Sequence, residues 1–148
     1  MTPQYFKFKG KVYLWKYLEN QSNYPGINLT ANRDGCDSMI ELLTLLGYSQ
    51  YAPTKTLNLQ PTIQQIASVG TRKDKFKSFT ALTLHFATEE ESTWTVEELN
   101  DEIRLSFSLH YLNELKNAIN RIREGAGDFL LTDNKRKNIL CFWWYPNG

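Results

Sequence analysis

Apolar and polar residues alternate along much of this chain, and the phase of the alternation assigns most of its elements. From Lys11 to Leu18 the side chains of Tyr13, Trp15 and Tyr17 fall on one side of a strand. Val12, Leu14 and Leu18 fall on the other, where Lys16 interrupts them. A lysine in that position places the strand near a sheet edge or along a partly wet face. After a polar loop ending in Pro25-Gly26, Ile27 to Ala31 predicts a second, short strand.

The period then changes. Cys36, Met39, Ile40, Leu43 and Leu46 recur at helical spacing, with Leu42 and Leu45 widening the stripe. Asn32 or Asp34 can cap the start and Gly47 the end, so the spacing predicts a nearly buried helix over about 34–46. Thr56 to Leu59 reads as a short strand, and Pro61 to Ala67 permits one or two helical turns. Gly70 to Lys77 reads as a lysine-rich loop, followed by one strand from Ser78 to Ala87 with Leu82, Leu84 and Phe86 on its apolar face.

Glu89-Glu90-Glu91 predicts a charged turn, Thr93 to Val96 a brief strand and Glu102 to Phe107 a longer one. A second helix over about 109–124 starts at Ser108, carries Leu109, Leu112, Leu115, Ile119 and Ile122, and stops at Gly125. Asp128 to Thr132 and Asn138 to Tyr145 form a hairpin around Asp133 to Lys137. The last strand is apolar on both sides: Ile139, Cys141, Trp143 and Tyr145 on one, Leu140, Phe142 and Trp144 on the other. Both of its faces are therefore covered, by helices, a second sheet or a partner chain.

The pattern is α+β: a single domain over residues 1–148, with one mainly antiparallel sheet and two amphipathic helices packed on it. A chain of 148 residues is large enough to bury one core, and aromatics at 14% add area where the apolar fraction is modest. Seventeen basic against sixteen acidic residues argue against a protein that lives on nucleic acid. Cys36 and Cys141 sit in apolar contexts, as buried thiols of a reducing compartment do. With no run of about 20 apolar residues and no leader-like start, the expectation is a cytoplasmic protein with no membrane partner.

Chemistry is thinly marked. His85 and His110 are the only histidines, and no spacing of His, Cys or carboxylate offers a metal-ligand set. No glycine-rich phosphate loop or nucleophile elbow occurs, so neither a cofactor nor a catalytic residue is assigned. Cys36, in a first helical turn, could carry a stabilised thiolate. Asp34 and Asp37 beside it oppose that, and its place on the Met39/Ile40/Leu43 stripe reads as packing.

Charge is more informative than motif. Seven acidic residues (Glu89, Glu90, Glu91, Glu97, Glu98, Asp101 and Glu102) occur between positions 89 and 102 without one lysine or arginine. With Trp94 as an exposed anchor and Glu97, Glu98, Asp101 and Glu102 as steering charges, this region suits a basic protein partner; the alternative is a solvated loop whose Trp94 folds back into the core. The leading expectation is thus a non-catalytic protein–protein interaction module, an inhibitor- or immunity-like binder.

Three further readings stand beside it. Trp15, Tyr17, Trp143 and Tyr145 could line a small-ligand or enzyme pocket between strand faces and helices. Lys7, Lys9, Lys11 and Lys16, then Arg72, Lys73, Lys75 and Lys77, then Lys135-Arg136-Lys137 could converge with Tyr13, Trp15 and Tyr17 into a single-stranded nucleic-acid surface. The two-faced C-terminal strand could also be completed by a second copy, giving a homo-oligomer.

Overall fold

The computed structural model describes residues 3–18, 26–49, 53–68, 75–87, 92–126 and 129–146. Among these the strands are β1 (Val12–Tyr17), β2 (Ile27–Ala31), β3 (Thr54–Asn58), β4 (Phe76–Phe79), β5 (Ala81–Phe86), β6 (Trp94–Leu99), β7 (Glu102–Phe107), β8 (Phe129–Thr132) and β9 (Ile139–Phe142). The helices are α1 (Arg33–Gly47), the single turn α2 (Gln64–Ala67) and α3 (Leu109–Arg123).

The class is α+β, and both long helices lie where their periodicity put them. The expectation of one sheet is corrected: there are two, ordered β4-β1-β2-β9-β8 and β3-β5-β7-β6. Pairing is mainly antiparallel, with one parallel pair in each sheet, β2 with β9 and β5 with β7. The stretch read as one strand from Ser78 to Ala87 is two strands that belong to different sheets. Thr80 is the crossing point: its N–H donates to the Asp101 carbonyl at 2.9 Å and its carbonyl accepts from the Leu59 N–H at 2.8 Å. The physical signal is a slip of phase, because Phe79 is buried from an odd position and Leu82, Leu84 and Phe86 from even ones.

Local chemistry sets the helix ends. Asn32 caps α1, its Oδ1 accepting from the N–H groups of Gly35 at 2.8 Å and Lys11 at 2.9 Å. The segment leading into β1 crosses this turn so closely that a Cβ on Gly35 would lie 2.3 Å from the Lys11 carbonyl oxygen. At the far end of α3, Gly125 takes φ +89°, while Ala126 N–H reaches the Arg121 carbonyl and Gly125 N–H that of Ile122. That is a left-handed cap satisfying two orphan carbonyls.

α1 and α3 pack against one another through Met39, Leu42, Leu43, Leu46, Leu112, Leu115, Ile119 and Ile122. Val12, Leu14, Leu29, Leu140 and Phe142 from the five-stranded sheet join the same core. So do Leu82, Leu84, Trp94, Ile103, Leu105 and Phe107 from the four-stranded sheet. The opposite face of the five-stranded sheet is buried too. Tyr13, Trp15, Tyr17 and Trp143 pack with Ile66 and Ala67 of α2, held by a Tyr17 hydroxyl bond of 2.6 Å to the Ala67 carbonyl.

Polar groups inside this second layer are paired except Trp15 Nε1, which is buried without a hydrogen-bond partner among the described residues. Trp143 Nε1 donates to Asn28 Oδ1 at 2.9 Å, and Thr30 Oγ1 donates to the Trp143 carbonyl at 2.7 Å. β9 is thus covered on both faces, as its composition requires, and paired on both edges by β2 and β8.

Candidate functional site

From Trp94 onward the acidic stretch is a strand hairpin rather than a solvated loop. β6 and β7 pair antiparallel from Trp94↔Phe107 to Leu99↔Glu102, around a two-residue turn in which Asn100 adopts φ 57°. Asparagine tolerates that left-handed conformation, which makes Asn100-Asp101 a tight turn. Alternation along β6 then divides the site residues between two environments.

Trp94 and Glu98 point toward the interior side. Trp94 is only 3% exposed; its ring stacks on Tyr111 at 5.0 Å, and its Nε1 donates to the Asn138 carbonyl at 2.9 Å. Of the two placements open to Trp94, exposed anchor or core residue, the structure has the second, because the indole completes the packing between β6 and α3. Glu98 reaches the other sheet, accepting from Lys16 Nζ at 2.7 Å and Lys77 Nζ at 2.8 Å. Those lysines are neighbours across β1 and β4, and Lys77 also donates to the Asn100 carbonyl at 2.7 Å. Partial burial pushes the Glu98 carboxyl up, but the hydrogen bonds and charges of the two lysines outweigh it and hold the group below the ordinary glutamate value.

Lys16 thus interrupts an apolar face because it faces Glu98 across the gap between sheets. Two of the lysines assigned to basic patches are engaged there, and Arg72 and Lys73 lie outside the described residues. Tyr13, Trp15 and Tyr17 are buried and offer no stacking platform.

Glu97, Asp101 and Glu102 point the other way. Glu97 and Asp101 are exposed, Glu97 lies in register with Arg104, and Leu99 beside them is 43% exposed. Glu102 Oε1 accepts from Thr83 Oγ1 at 2.9 Å, and Thr83 Oγ1 meets Thr56 Oγ1 at 2.8 Å. One row further, Thr54 Oγ1 meets His85 Nδ1 at 2.8 Å. These side chains form the outer face of the four-stranded sheet, a flat polar surface built on β3, β5, β7 and β6. None of them joins either apolar cluster, and α3 packs on this sheet from its other side. Glu89, Glu90 and Glu91 lie outside the described residues.

The thiol and imidazole candidates sit apart. Burial pushes the Cys36 thiol up to about 12, the nearby Asp37 adds to this, and Sγ lies 3.6 Å from the Ala31 carbonyl. Cys36 is a packing thiol, and Cys141 is buried likewise. His110 is exposed on α3 with its ring edge against Tyr111. Among the described residues no three His, Cys, Asp or Glu side chains gather as metal ligands, and no helix is long and apolar enough to cross a membrane.

Of the four rings expected to line a pocket, Trp15, Tyr17 and Trp143 are packed solid. Only Tyr145 borders open space, a cleft of about 510 Å³ shared with Ala31, Arg33, Ile122, Arg123, Glu124, Gly125 and Trp144. Trp144 and these charged residues were absent from the expected site. The signal was the C-terminal run itself, which continues past the last residue β2 pairs with and leaves Trp144 43% exposed. Comparison with protein-family models, with curated proteins and with solved structures gives no match.

Proposed function

We propose that this protein is a non-catalytic protein–protein interaction module, inhibitor- or immunity-like in kind, that docks a basic partner on the outer face of its four-stranded sheet. One observation carries the reading. Apolar clusters cover both faces of the five-stranded sheet and the inner face of the four-stranded sheet, while the fourth face carries exposed Thr54, Thr56, Glu97 and Arg104, with an acidic hairpin along its border. Paired sheet strands give that face a fixed shape, and exposed Thr54 and Thr56 with half-buried His85 supply donors and acceptors, while Thr83 beneath them is buried and bonded to Thr56 and Glu102.

Glu97, Asp101 and Glu102 against the single Arg104 make the hairpin end net negative, which steers a cationic partner toward it. Leu99 offers a small apolar contact at the rim. The role first given to Trp94 passes to this exposed leucine and the flat face behind it, with Glu98 reserved for holding the sheets together.

The test is paired affinity capture from the source organism. Wild type is compared with the Glu97→Lys/Asp101→Lys double variant and with a control charge reversal at exposed Lys7. The expected result is a basic protein, recovered near one-to-one with wild type and the control, and lost with the double variant. Identical recoveries from all three baits would overturn the proposal.

A further inference from the structure

We propose that the cleft between the start of α1, the end of α3 and Trp144 is a binding site for a single nucleoside monophosphate. It shares no residue with the sheet face discussed above. Three different chemistries converge on its walls. Trp144 presents 43% of its surface to solvent and rests edge-on against the buried Trp143, with ring centroids 6.2 Å apart. An exposed indole backed by a fixed ring is a stacking surface for a flat heterocycle, and base–aromatic stacking is sequence-tolerant. Tyr145 forms the adjoining wall, positioned by its stack on Tyr13 at 6.3 Å.

Arg33 supplies the anion contact. It is exposed and makes no ion pair among the described residues, whereas Arg123 in the same cleft is already bonded to Asp37. One unengaged guanidinium matches one phosphate group through a two-pronged, charge-assisted contact. Glu124, exposed at the end of α3, is a hydrogen-bond acceptor suited to sugar hydroxyls or an exocyclic amine. The cleft's volume of about 510 Å³ is in the range of small-molecule sites and fits one nucleotide.

The same inventory argues for the mononucleotide over a polynucleotide. A strand of nucleic acid brings one charge per residue and needs a track of basic groups. Among the described residues of the cleft one cation is without an ion pair, and Glu124 would repel a second phosphate placed beside it. The balance of one ring surface, one such cation and one acceptor describes one base, one phosphate and one sugar.

Isothermal titration of the full chain with adenosine, guanosine, cytidine and uridine monophosphates tests this, with adenosine, inorganic phosphate and a tetranucleotide as further probes. At least one monophosphate should bind saturably, about tenfold or more tighter than adenosine or phosphate alone. Arg33→Gln and Trp144→Leu should each weaken it about tenfold, while Arg104→Gln on the other sheet leaves it unchanged. Circular dichroism of each variant confirms that the fold is kept, and a tryptophan quench seen in wild type but lost in Trp144→Leu places the ligand. No saturable binding at about 5 mM of any monophosphate would overturn the proposal. So would binding indifferent to both substitutions, or a tetranucleotide that binds about tenfold tighter than its monomer.

Discussion

Replacing Glu98 by glutamine removes the charge that joins the edge strand β6 to Lys16 and Lys77 of the opposite sheet. The amide keeps the shape and one acceptor oxygen, so packing changes little and the electrostatic part is isolated. The three side chains are 29–32% exposed, so the surrounding water screens the pairs and each is worth ~0.2–1 kcal/mol. Two pairs are lost together, and two ammonium groups on directly opposed cross-strand positions are left facing each other. The expected loss is therefore ~1–2 kcal/mol, which with an m-value of ~1–3 kcal/mol/M lowers the urea midpoint by roughly 0.5–1 M.

Tryptophan fluorescence reads the transition well, because Trp15 and Trp143 are buried in the second layer. The same substitution made in a Lys16→Met/Lys77→Met background should cost almost nothing, since no cations remain to be left unpaired. The pH dependence has a definite sign. A carboxyl held below its ordinary value contributes stability above the unfolded glutamate value and loses it as pH falls through the lower folded value. Wild type and Glu98→Gln should thus converge in stability on acidification. Salt at about 0.5 M should narrow the gap at neutral pH. An undiminished cost in the lysine-free background, or a gap that survives acid, would refute the bridge as its cause.

Two further outcomes are expected. Gly35→Ala would drive a methyl group against the Lys11 carbonyl, so it should cost at least ~2 kcal/mol by urea titration, where a tolerated helix-start glycine would cost almost nothing. Cys36 should react with a disulfide reagent at pH 8 only after denaturant is added. Because its folded thiol is raised to about 12 while the unfolded chain deprotonates near the ordinary thiol value, stability should fall as pH rises between the two, a slope that Cys36→Ser should reduce.

The elements were legible wherever a single period ran uninterrupted. Ile27 to Ala31, the Asn32 cap, the α1 and α3 stripes and the Gly125 stop all rest on near-neighbour physics, which a sequence displays directly. The division into two sheets was not, because β4 and β5 abut at Thr80 and only a one-residue phase slip separates them. Lys16 was visible as an interruption, yet its cause lies across the molecule in Glu98. Charge counting marked the 89–102 stretch but could not separate Glu98 from Glu97, since adjacent strand residues face opposite sides. Trp94 illustrates the same limit: an indole amid carboxylates looks exposed until Tyr111 and Asn138, distant in sequence, close over it.

The parallel seam between β2 and β9 also governs how this chain must fold. Asn28 and Trp143, bonded across that layer, are separated by 115 residues. Closing so long a loop is entropically costly before any contact rewards it, and topologies dominated by such pairings fold slowly. β8 reaches the five-stranded sheet only through β9, so the placement of both strands depends on the seam with β2. During synthesis the layer formed by β4, β1 and β2 must wait with a bare strand edge until β9 emerges. An unpaired strand edge is a template for pairing with another chain, and the β2–β9 seam is what closes it here.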